Sequence, residues 1–172
     1  MRGLGTALRK LFGRAPRLAS PEEHRRLLEE CRQLAEQGKQ GKALKGYGRL
    51  VRELSAPEAA TLEHRQCLVR ACLAQGKALQ RAGQPDAAAQ SHAKLQDLCR
   101  VDEDGTADQC AEAVVLNQTV LETDDQFEWA HYFLGLALFK RQDYAQAISH
   151  LETAQRLNAS RREASYYLRA CR

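Results

Sequence analysis

The sequence predicts an all-α fold of short antiparallel helix pairs, and two observations indicate it. Ala, Leu, Arg, Glu and Gln dominate the 172 residues, whereas aromatic residues make up 6% and only four prolines occur. Such a composition favours helices over strands. Residues 128–159 also carry two stripes of apolar or small residues, each at the spacing of one helix face. The stripes are His131, Leu134 and Leu138, and then Ala147, Leu151 and Ala154.

Small residues in these two helices predict that they pack closely. Gly135 lies beside the first stripe and Ala147 belongs to the second. Side chains of this size let two antiparallel helices approach further than larger ones would. Residues 141–143 separate the stripes, so we expect the turn of a helical hairpin there.

The same stretch resembles a tetratricopeptide repeat, whose pattern is W-x2-L-G-x2-Y, then A-x3-F, then P. This sequence reads His131-x2-Leu134-Gly135-x2-Leu138, then Ala147-x3-Leu151, then Ala159. The first aromatic residue, the later aromatics and the closing proline are therefore replaced. The resemblance implies a right-handed α-solenoid over residues 20–172, with about three irregular helix pairs and a C-terminal capping helix.

Residues 20–54 fit a first, degenerate repeat. Ser20 to Glu23 combine an N-cap serine, a proline at the first helical position and an acidic first turn. A turn is expected over Gly38–Gly41, and Cys31 stands where the family has glycine. Glycines 46 and 48 inside the second helix would weaken it. The residues at the apolar positions of the repeat are Leu27, Leu34, Ala43, Tyr47 and Leu50.

A long helix is expected to follow, opening at Ser55–Glu58 and continuing unbroken to about Ala82. Its later half resembles the repeat, with Gly76 at the glycine position, and residues 83–86 form the next turn. The extra turns over residues 58–68 depart from the family pattern. The second helix of this pair carries Ala88, His92 and Leu95 at inward positions.

Residues 101–105 (Val-Asp-Glu-Asp-Gly) are the clearest break in the chain. Carboxylates at alternate positions attract a hard cation, but the full calcium-loop pattern is absent, which favours a solvated acidic turn. Thr106 is expected to cap a helix to about Glu122 that pairs with the helix over 87–99. Residues 161–171 continue the helical period and would cover the last apolar face.

Residues 1–18 differ from the remainder in charge. The chain has 26 Lys and Arg and 22 Asp and Glu, and residues 1–17 hold five of the bases and no acid, so the remainder (21 against 22) is nearly neutral. We therefore expect no nucleic-acid partner for the repeat domain. Three interpretations stay open: an amphipathic helix that docks on an anionic membrane or a partner, a disordered tail, and a mitochondrial transit peptide if the organism is eukaryotic. The docking residues would be Leu4, Leu8, Arg9, Lys10, Leu11 and Phe12.

Motifs of an enzyme are missing from the sequence. The six cysteines form no C-x-x-C pair, so we expect reduced, packed thiols rather than disulfides or a zinc site. His92 and His131 fall at inward positions and are expected to be core residues. Neither a metalloprotease motif, a nucleophile elbow nor a phosphate-binding glycine loop occurs. We expect a protein that is not an enzyme and that holds neither metal nor cofactor.

In this family the first helix of each pair lines a concave groove. Four of the five groove positions of the best repeat hold large apolar residues, which a protein surface rarely leaves uncovered. One interpretation is a groove for an amphipathic helix or peptide, with the aromatic residues as anchors. The other is burial beneath the helix over 106–122 or beneath the terminal helix. The groove residues are Trp129, Tyr132, Leu136, Phe139 and Lys140.

The resemblance implies a non-catalytic scaffold, adaptor or assembly factor with protein partners. We expect it in the cytoplasm, with residues 1–18 at a membrane periphery, or in mitochondria if the organism is eukaryotic. Alternatives are a constitutive subunit of a multiprotein complex and a dedicated chaperone for an apolar segment. Family members that bind the carboxylate tail of cytosolic chaperones use Lys and Asn, then Lys and Arg, at defined groove positions. This chain has Leu28, Arg32, Trp129 and Phe133 there, so we do not expect that specificity.

Overall fold

The computed structural model describes residues 19–57, 59, 61–102 and 104–171, and these ranges contain eight α-helices and no strand. The all-α prediction is confirmed. In chain order the helices are α1 (Pro21–Glu36), α2 (Gln40–Leu54), α3 (Leu62–Arg81), α4 (Pro85–Cys99), α5 (Ala107–Thr123), α6 (Glu128–Lys140), α7 (Tyr144–Leu157) and α8 (Arg162–Ala170).

Two helices begin with a reciprocal capping pair, as the sequence predicts for their first residues. The Glu23 backbone N–H donates to Ser20 Oγ over 3.2 Å, and the Ser20 N–H donates to the Glu23 carboxylate over 2.6 Å. At the start of α5, the Gln109 N–H donates to the Thr106 hydroxyl over 3.3 Å, and the Thr106 N–H donates to the Gln109 side-chain oxygen over 2.8 Å. Each pair satisfies two of the backbone donors that a helix start leaves unbonded, so the boundary is set locally.

The predicted start of α3 is wrong by about one turn. The helix does not open at Ser55–Glu58: Ser55 is the C-cap of α2, and α3 begins at Leu62. The Thr61 hydroxyl accepts the His64 N–H (3.4 Å) and lies 2.7 Å from His64 Nδ1. Thr61 is therefore the N-cap of α3.

The three helix pairs turn through the same backbone conformation. The positive-φ residue is Gly38 (φ 75°) between α1 and α2, Gly83 (71°) between α3 and α4, and Gln142 (64°) between α6 and α7. Glycine adopts this conformation without steric penalty. A side chain such as that of Gln142 costs about 1–2 kcal/mol there, so the matching position in the third pair is less favourable.

The helix pairs form the predicted solenoid, in which α1 packs on α2, α3 on α4 and α6 on α7, while α8 covers α7 and the edge of α6. The expected partner of α5 is wrong. This helix does not pair mainly with α4 but packs between α3 and α6. Gln66 donates to the Thr119 hydroxyl (3.3 Å), and Leu116 and Val120 share a buried cluster with residues of α3. α5 thus separates the second helix pair from the third.

The core continues along the whole row of helices in three adjoining clusters. The largest joins α1 to α5 and reaches Trp129 and Ala130 of α6. A second cluster fills the space between α5, α6 and the start of α7, and a third joins α6, α7 and α8 through Leu151, Ala164 and Leu168. Each cluster is closed only by the next helix, as expected of a solenoid.

Candidate protein-interaction surfaces

Helices α6 and α7 make the close contact that the sequence predicts. A Cβ added to Gly135 would lie 2.7 Å from Leu151 Cγ and 3.3 Å from the Ala147 carbonyl oxygen. Both neighbours are fully buried. The two helices touch through the glycine, which confirms the reason given for a small residue at this position.

A histidine pair links the same two helices. His131 Nδ1 and His150 Nδ1 are 3.0 Å apart with stacked rings, and His131 Nε2 lies 3.1 Å from the Asp125 carbonyl oxygen. Because a carbonyl only accepts, His131 Nε2 carries the proton there, and His150 Nδ1 then donates to His131 Nδ1. Burial, with a smaller contribution from His131, lowers the pKa of His150. The pair is a structural link, as expected for His131.

Three of the five predicted groove residues lie largely inside the protein. Trp129 and Tyr132 are each 8% exposed and Leu136 is 6% exposed, whereas Phe139 and Lys140 are half-buried. Trp129 belongs to the cluster that includes Leu116 and Val120 of α5. The structure thus favours burial of Trp129 beneath α5, which was the second of the two interpretations. The role of the five residues in binding stays a prediction.

Helix α8 covers Tyr132 but leaves a cleft beside it. The Arg161 guanidinium lies 4.7 Å from the centre of the Tyr132 ring and pairs with Glu128. The C-terminal cleft that remains has a volume of about 720 Å³, and Tyr166 at its edge is 66% exposed. Its lining residues are Tyr132, Phe139, Lys140, Glu163, Tyr166, Tyr167 and Ala170. This cleft is mainly aromatic, with one lysine and one carboxylate at its rim.

A second cleft lies between α1 and α3, and the sequence interpretation did not anticipate it. This N-terminal cleft has a volume of about 490 Å³ and four cationic side chains in its lining, against two carboxylates. Its floor is apolar. The cations are Arg32, Arg70, Lys77 and Arg81, the carboxylates are Glu29 and Glu36, and the floor includes Leu28, Ala35, Tyr47, Ala74 and Ala78.

The missed residues of α3 follow from the same rule that gave the five groove residues of α6. In α3, with Gly76 at the glycine position, the same groove positions are Arg70, Leu73, Lys77, Gln80 and Arg81. Three of these five line the N-terminal cleft. In α8 the corresponding early positions are Glu163 and Tyr166, which line the C-terminal cleft. Both clefts are therefore lined partly by positions that the resemblance assigns to the groove.

Ion pairs hold part of the N-terminal cleft to α5. Arg70 pairs with Glu122 over 3.4 Å and Lys77 with Asp124 over 3.1 Å, while Arg65 pairs with Glu112 over 2.9 Å outside the cleft. Arg32 bridges Glu29 and Glu36 on its own helix at 3.1 and 3.8 Å. Arg81 is exposed and makes no ion pair among the described residues.

The positions at which chaperone-tail binders carry their charge clamp lie in different surroundings. Leu28 and Arg32 line the N-terminal cleft. Trp129 and Phe133 pack against each other, with ring centres 6.1 Å apart. A clamp would need charged groups at both places, and the second is aromatic.

Buried thiols and imidazoles account for the other candidate ligand groups. All six cysteines are free and five are buried, and burial raises the pKa of Cys72 to about 11 and that of Cys99 to about 12. His92 fills the space above Gly76. Across the described part of the chain, no three His, Cys, Asp or Glu side chains gather as a metal site would require.

The predicted docking residues Leu4, Leu8, Arg9, Lys10, Leu11 and Phe12 lie outside the described residues. Among the helices that are described, none combines the length and apolar character needed to cross a bilayer.

The chain is similar to known helical-repeat proteins in both sequence and structure. A family model described as "Tetratricopeptide repeat" matches residues 129–160, which comprise most of α6, all of α7 and the start of the next turn. A search of curated proteins found no match. One similar solved structure is the first TPR of Spaghetti (RPAP3) bound to HSP90 peptide SRMEEVD. It is 17% identical, with a TM-score of 0.32, and the match covers 90% of this chain and 94% of that chain. Similarity at this level supports no comparison of site residues.

Proposed function

We propose that this chain, a tetratricopeptide repeat protein, is a non-catalytic scaffold or adaptor that binds a segment of another protein. The observation that carries the proposal is the pair of open clefts lined by groove positions of the first helices α1, α3, α6 and α8. Grooves of this kind between helices take an extended peptide or an amphipathic helix.

The lining of each cleft indicates what it takes up. In the N-terminal cleft, Arg81 has no ion pair among the described residues and lies at the edge of an apolar floor, beside three cations that are paired within the fold. This lining suits a segment that carries a carboxylate beside small apolar side chains. The C-terminal cleft offers Phe139, Tyr166 and Tyr167, with Lys140 and Glu163 at the rim. Aromatic side chains of this kind form the anchor points of many interfaces, so an apolar or aromatic side chain of the partner fits there.

In this proposal the five predicted groove residues contribute to the binding surface in different ways. Phe139 and Lys140 contribute directly to the C-terminal cleft, and Tyr132 contributes its exposed edge. Trp129 and Leu136 support the surface from beneath, because they are buried. We assign the anchoring role to Tyr166 and Phe139 in place of Trp129.

Residues 1–18 add a second kind of contact in this proposal. Their five bases, without an acid, suit an anionic membrane surface or an acidic face of a larger complex. We place the protein in the cytoplasm, with this segment at the periphery of a membrane.

Site-specific photo-crosslinking tests the proposed surface in cells. A photoreactive residue replaces Tyr166 in one variant, Arg81 in a second and Arg156 in a third. All three side chains are exposed, and Arg156 on α7 is the control because it lines neither cleft. We expect positions 166 and 81 to capture the same partner and position 156 to capture none.

The captured partner then allows a quantitative check. Peptides from the cross-linked region are titrated against the intact protein, Tyr166→Ala, Arg81→Gln and Arg156→Gln. Roughly tenfold or greater losses of affinity are expected for the first two variants, as for anchor residues, and none for the third. Equal capture at all three positions, or affinities that no variant changes, would exclude the clefts as the binding surface.

A further inference from the structure

Most of the cations of α3 are paired with acidic residues within the fold, which provides a comparison for the other basic helix, α2. α3 carries four bases (Arg65, Arg70, Lys77 and Arg81) and one acid, whereas α5 carries three acids and no base. Three of the four bases form ion pairs with α5 or its C-cap Asp124. The positive charge of α3 is therefore matched across a helix interface.

Helix α2 has the same excess of charge but no such match. Its four bases are Lys42, Lys45, Arg49 and Arg52, and its single acid is Glu53. Glu53 pairs with Arg49 over 2.8 Å, which lowers the pKa of the carboxyl group. Within the described residues, Lys42, Lys45 and Arg52 have no ion-pair partner.

These bases form one straight stripe on the outer side of the fold. All four are exposed, and at 3.6 residues per turn they fall within roughly 80° of the helix circumference and span about 15 Å. The opposite side of α2 is buried through Ala43, Tyr47, Leu50 and Leu54. We refer to the four bases as the α2 stripe.

We infer that the α2 stripe binds the anionic headgroups of a lipid bilayer. A row of exposed cations suits a diffuse negative surface, to which each Lys or Arg near the membrane contributes about 1 kcal/mol.

Other anionic partners fit the α2 stripe less well. Single-stranded nucleic acid binds where aromatic rings offer stacking surfaces among the cations, and the only aromatic residue of α2, Tyr47, is 2% exposed. Protein interfaces are enriched in aromatic residues and poor in most charged residues at their centre, and the large exposed apolar residues Leu62, Tyr144 and Tyr166 all lie on other elements. A basic face that exposes no aromatic or large apolar side chain therefore favours a lipid surface over these partners.

The α2 stripe is separate from the proposed peptide-binding clefts. Tyr47 is the only residue of α2 in the lining of either cleft, and none of the four bases takes part. Substitutions in the stripe should therefore leave peptide binding unchanged, so that failure of one proposal leaves the other testable.

Flotation of the full chain with lipid vesicles tests the inference. The vesicles contain phosphatidylcholine alone or with one-third phosphatidylserine. The test variant is Lys42→Gln/Lys45→Gln/Arg52→Gln, and the control Arg156→Gln/Arg162→Gln/Arg169→Gln removes three exposed bases from α7 and α8. Circular dichroism checks that both variants keep the helical content of the unmodified protein.

We expect the unmodified protein to bind only the anionic vesicles and to lose binding as salt is raised. The test variant should partition roughly 100-fold less strongly, because it removes three bases that each contribute about 1 kcal/mol, whereas the control should lose less than about threefold. Equal losses for both variants would mean that net charge alone acts, which overturns the inference. So would undiminished binding by the test variant, or release from the vesicles by an equal mass of single-stranded RNA.

Discussion

The first and third helix pairs make the same close approach with the small residue on opposite helices. In α6–α7 it is Gly135 of the first helix that faces Leu151. In α1–α2 the first helix carries Cys31 at that position, and Gly46 of the second helix makes room for it, because a Cβ at Gly46 would collide with Cys31 Sγ. Both pairs satisfy one packing requirement with different residues.

The comparison explains why the first repeat looks degenerate. A family pattern records which residue is usually small, whereas packing requires only that one of two facing residues be small. The second pair follows the third, since a Cβ on Gly76 would come within 2.7 Å of His92 Nε2. The glycines at 46 and 48, which the sequence interpretation counted only as weakening α2, thus have different roles.

The largest loss of stability is expected from a substitution in the third helix pair. Gly135→Ala should destabilise the protein by about 2–3 kcal/mol, because the methyl group meets Leu151 and the Ala147 backbone, and a backbone contact cannot rotate away. Urea unfolding followed by circular dichroism measures the change. An unchanged midpoint would show that α6 and α7 separate at little cost, and that the contact does not define this pair.

A smaller effect is expected at the first pair, where the obstructing atom is a side-chain sulfur. Gly46→Ala should cost about 1–2 kcal/mol, and Cys31→Ala in the same chain should recover about 1 kcal/mol of it, since the two residues touch.

Gly48 supplies the matched control on the same helix. A Cβ there meets only Gln75 Nε2 at 3.7 Å, so Gly48→Ala should stabilise the protein by about 0.5–1 kcal/mol. Additive effects of the substitutions at 31 and 46 would contradict the exchange of the small residue between the two helices.

The smallest expected effect is a dependence of the free energy of unfolding on pH. It arises from one histidine in the second helix pair and one in the third. Burial lowers the pKa of His150, assisted by His131, and burial also lowers that of His92, assisted by Lys77. A histidine that resists protonation in the folded state stabilises the protein above its unfolded pKa of about 6.5. That stability is lost as the pH falls through the folded pKa.

The free energy of unfolding should therefore be lower at pH 5 than at pH 7.5, and each of His150→Gln and His92→Gln should reduce the difference. Urea unfolding at the two pH values measures it. If neither substitution changes the dependence on pH, carboxyl groups are responsible for it.

Local chemistry made much of the fold predictable from the sequence. Ser20 and Thr106 set the starts of α1 and α5 through bonds to residues three positions on. Gly38 and Gly83 mark turns that need a positive φ. The third turn has no glycine, yet Gln142 adopts the same conformation, because the stripes on either side of it fix the hairpin.

Tertiary contacts decided what the sequence could not predict. The partner of α5 depends on ion pairs and apolar contacts with α3, about 50 residues away along the chain, such as Arg65 with Glu112. The burial of Trp129 follows from that placement, so the groove residues were identified by position but not by exposure. The N-terminal cleft was missed because the groove rule was not extended to α3, although Arg70, Lys77 and Arg81 lie at its positions.

The position of α5 between α3 and α6 has a consequence for ligand architecture. Since α5 packs between α3 and α6, a partner that bound both proposed clefts would carry two short motifs joined by a linker that spans α5. The first motif to dock raises the effective concentration of the second, and this gain is greatest when the linker matches the span between the clefts. Selectivity among partners that share both motifs would then depend on the length and stiffness of the linker.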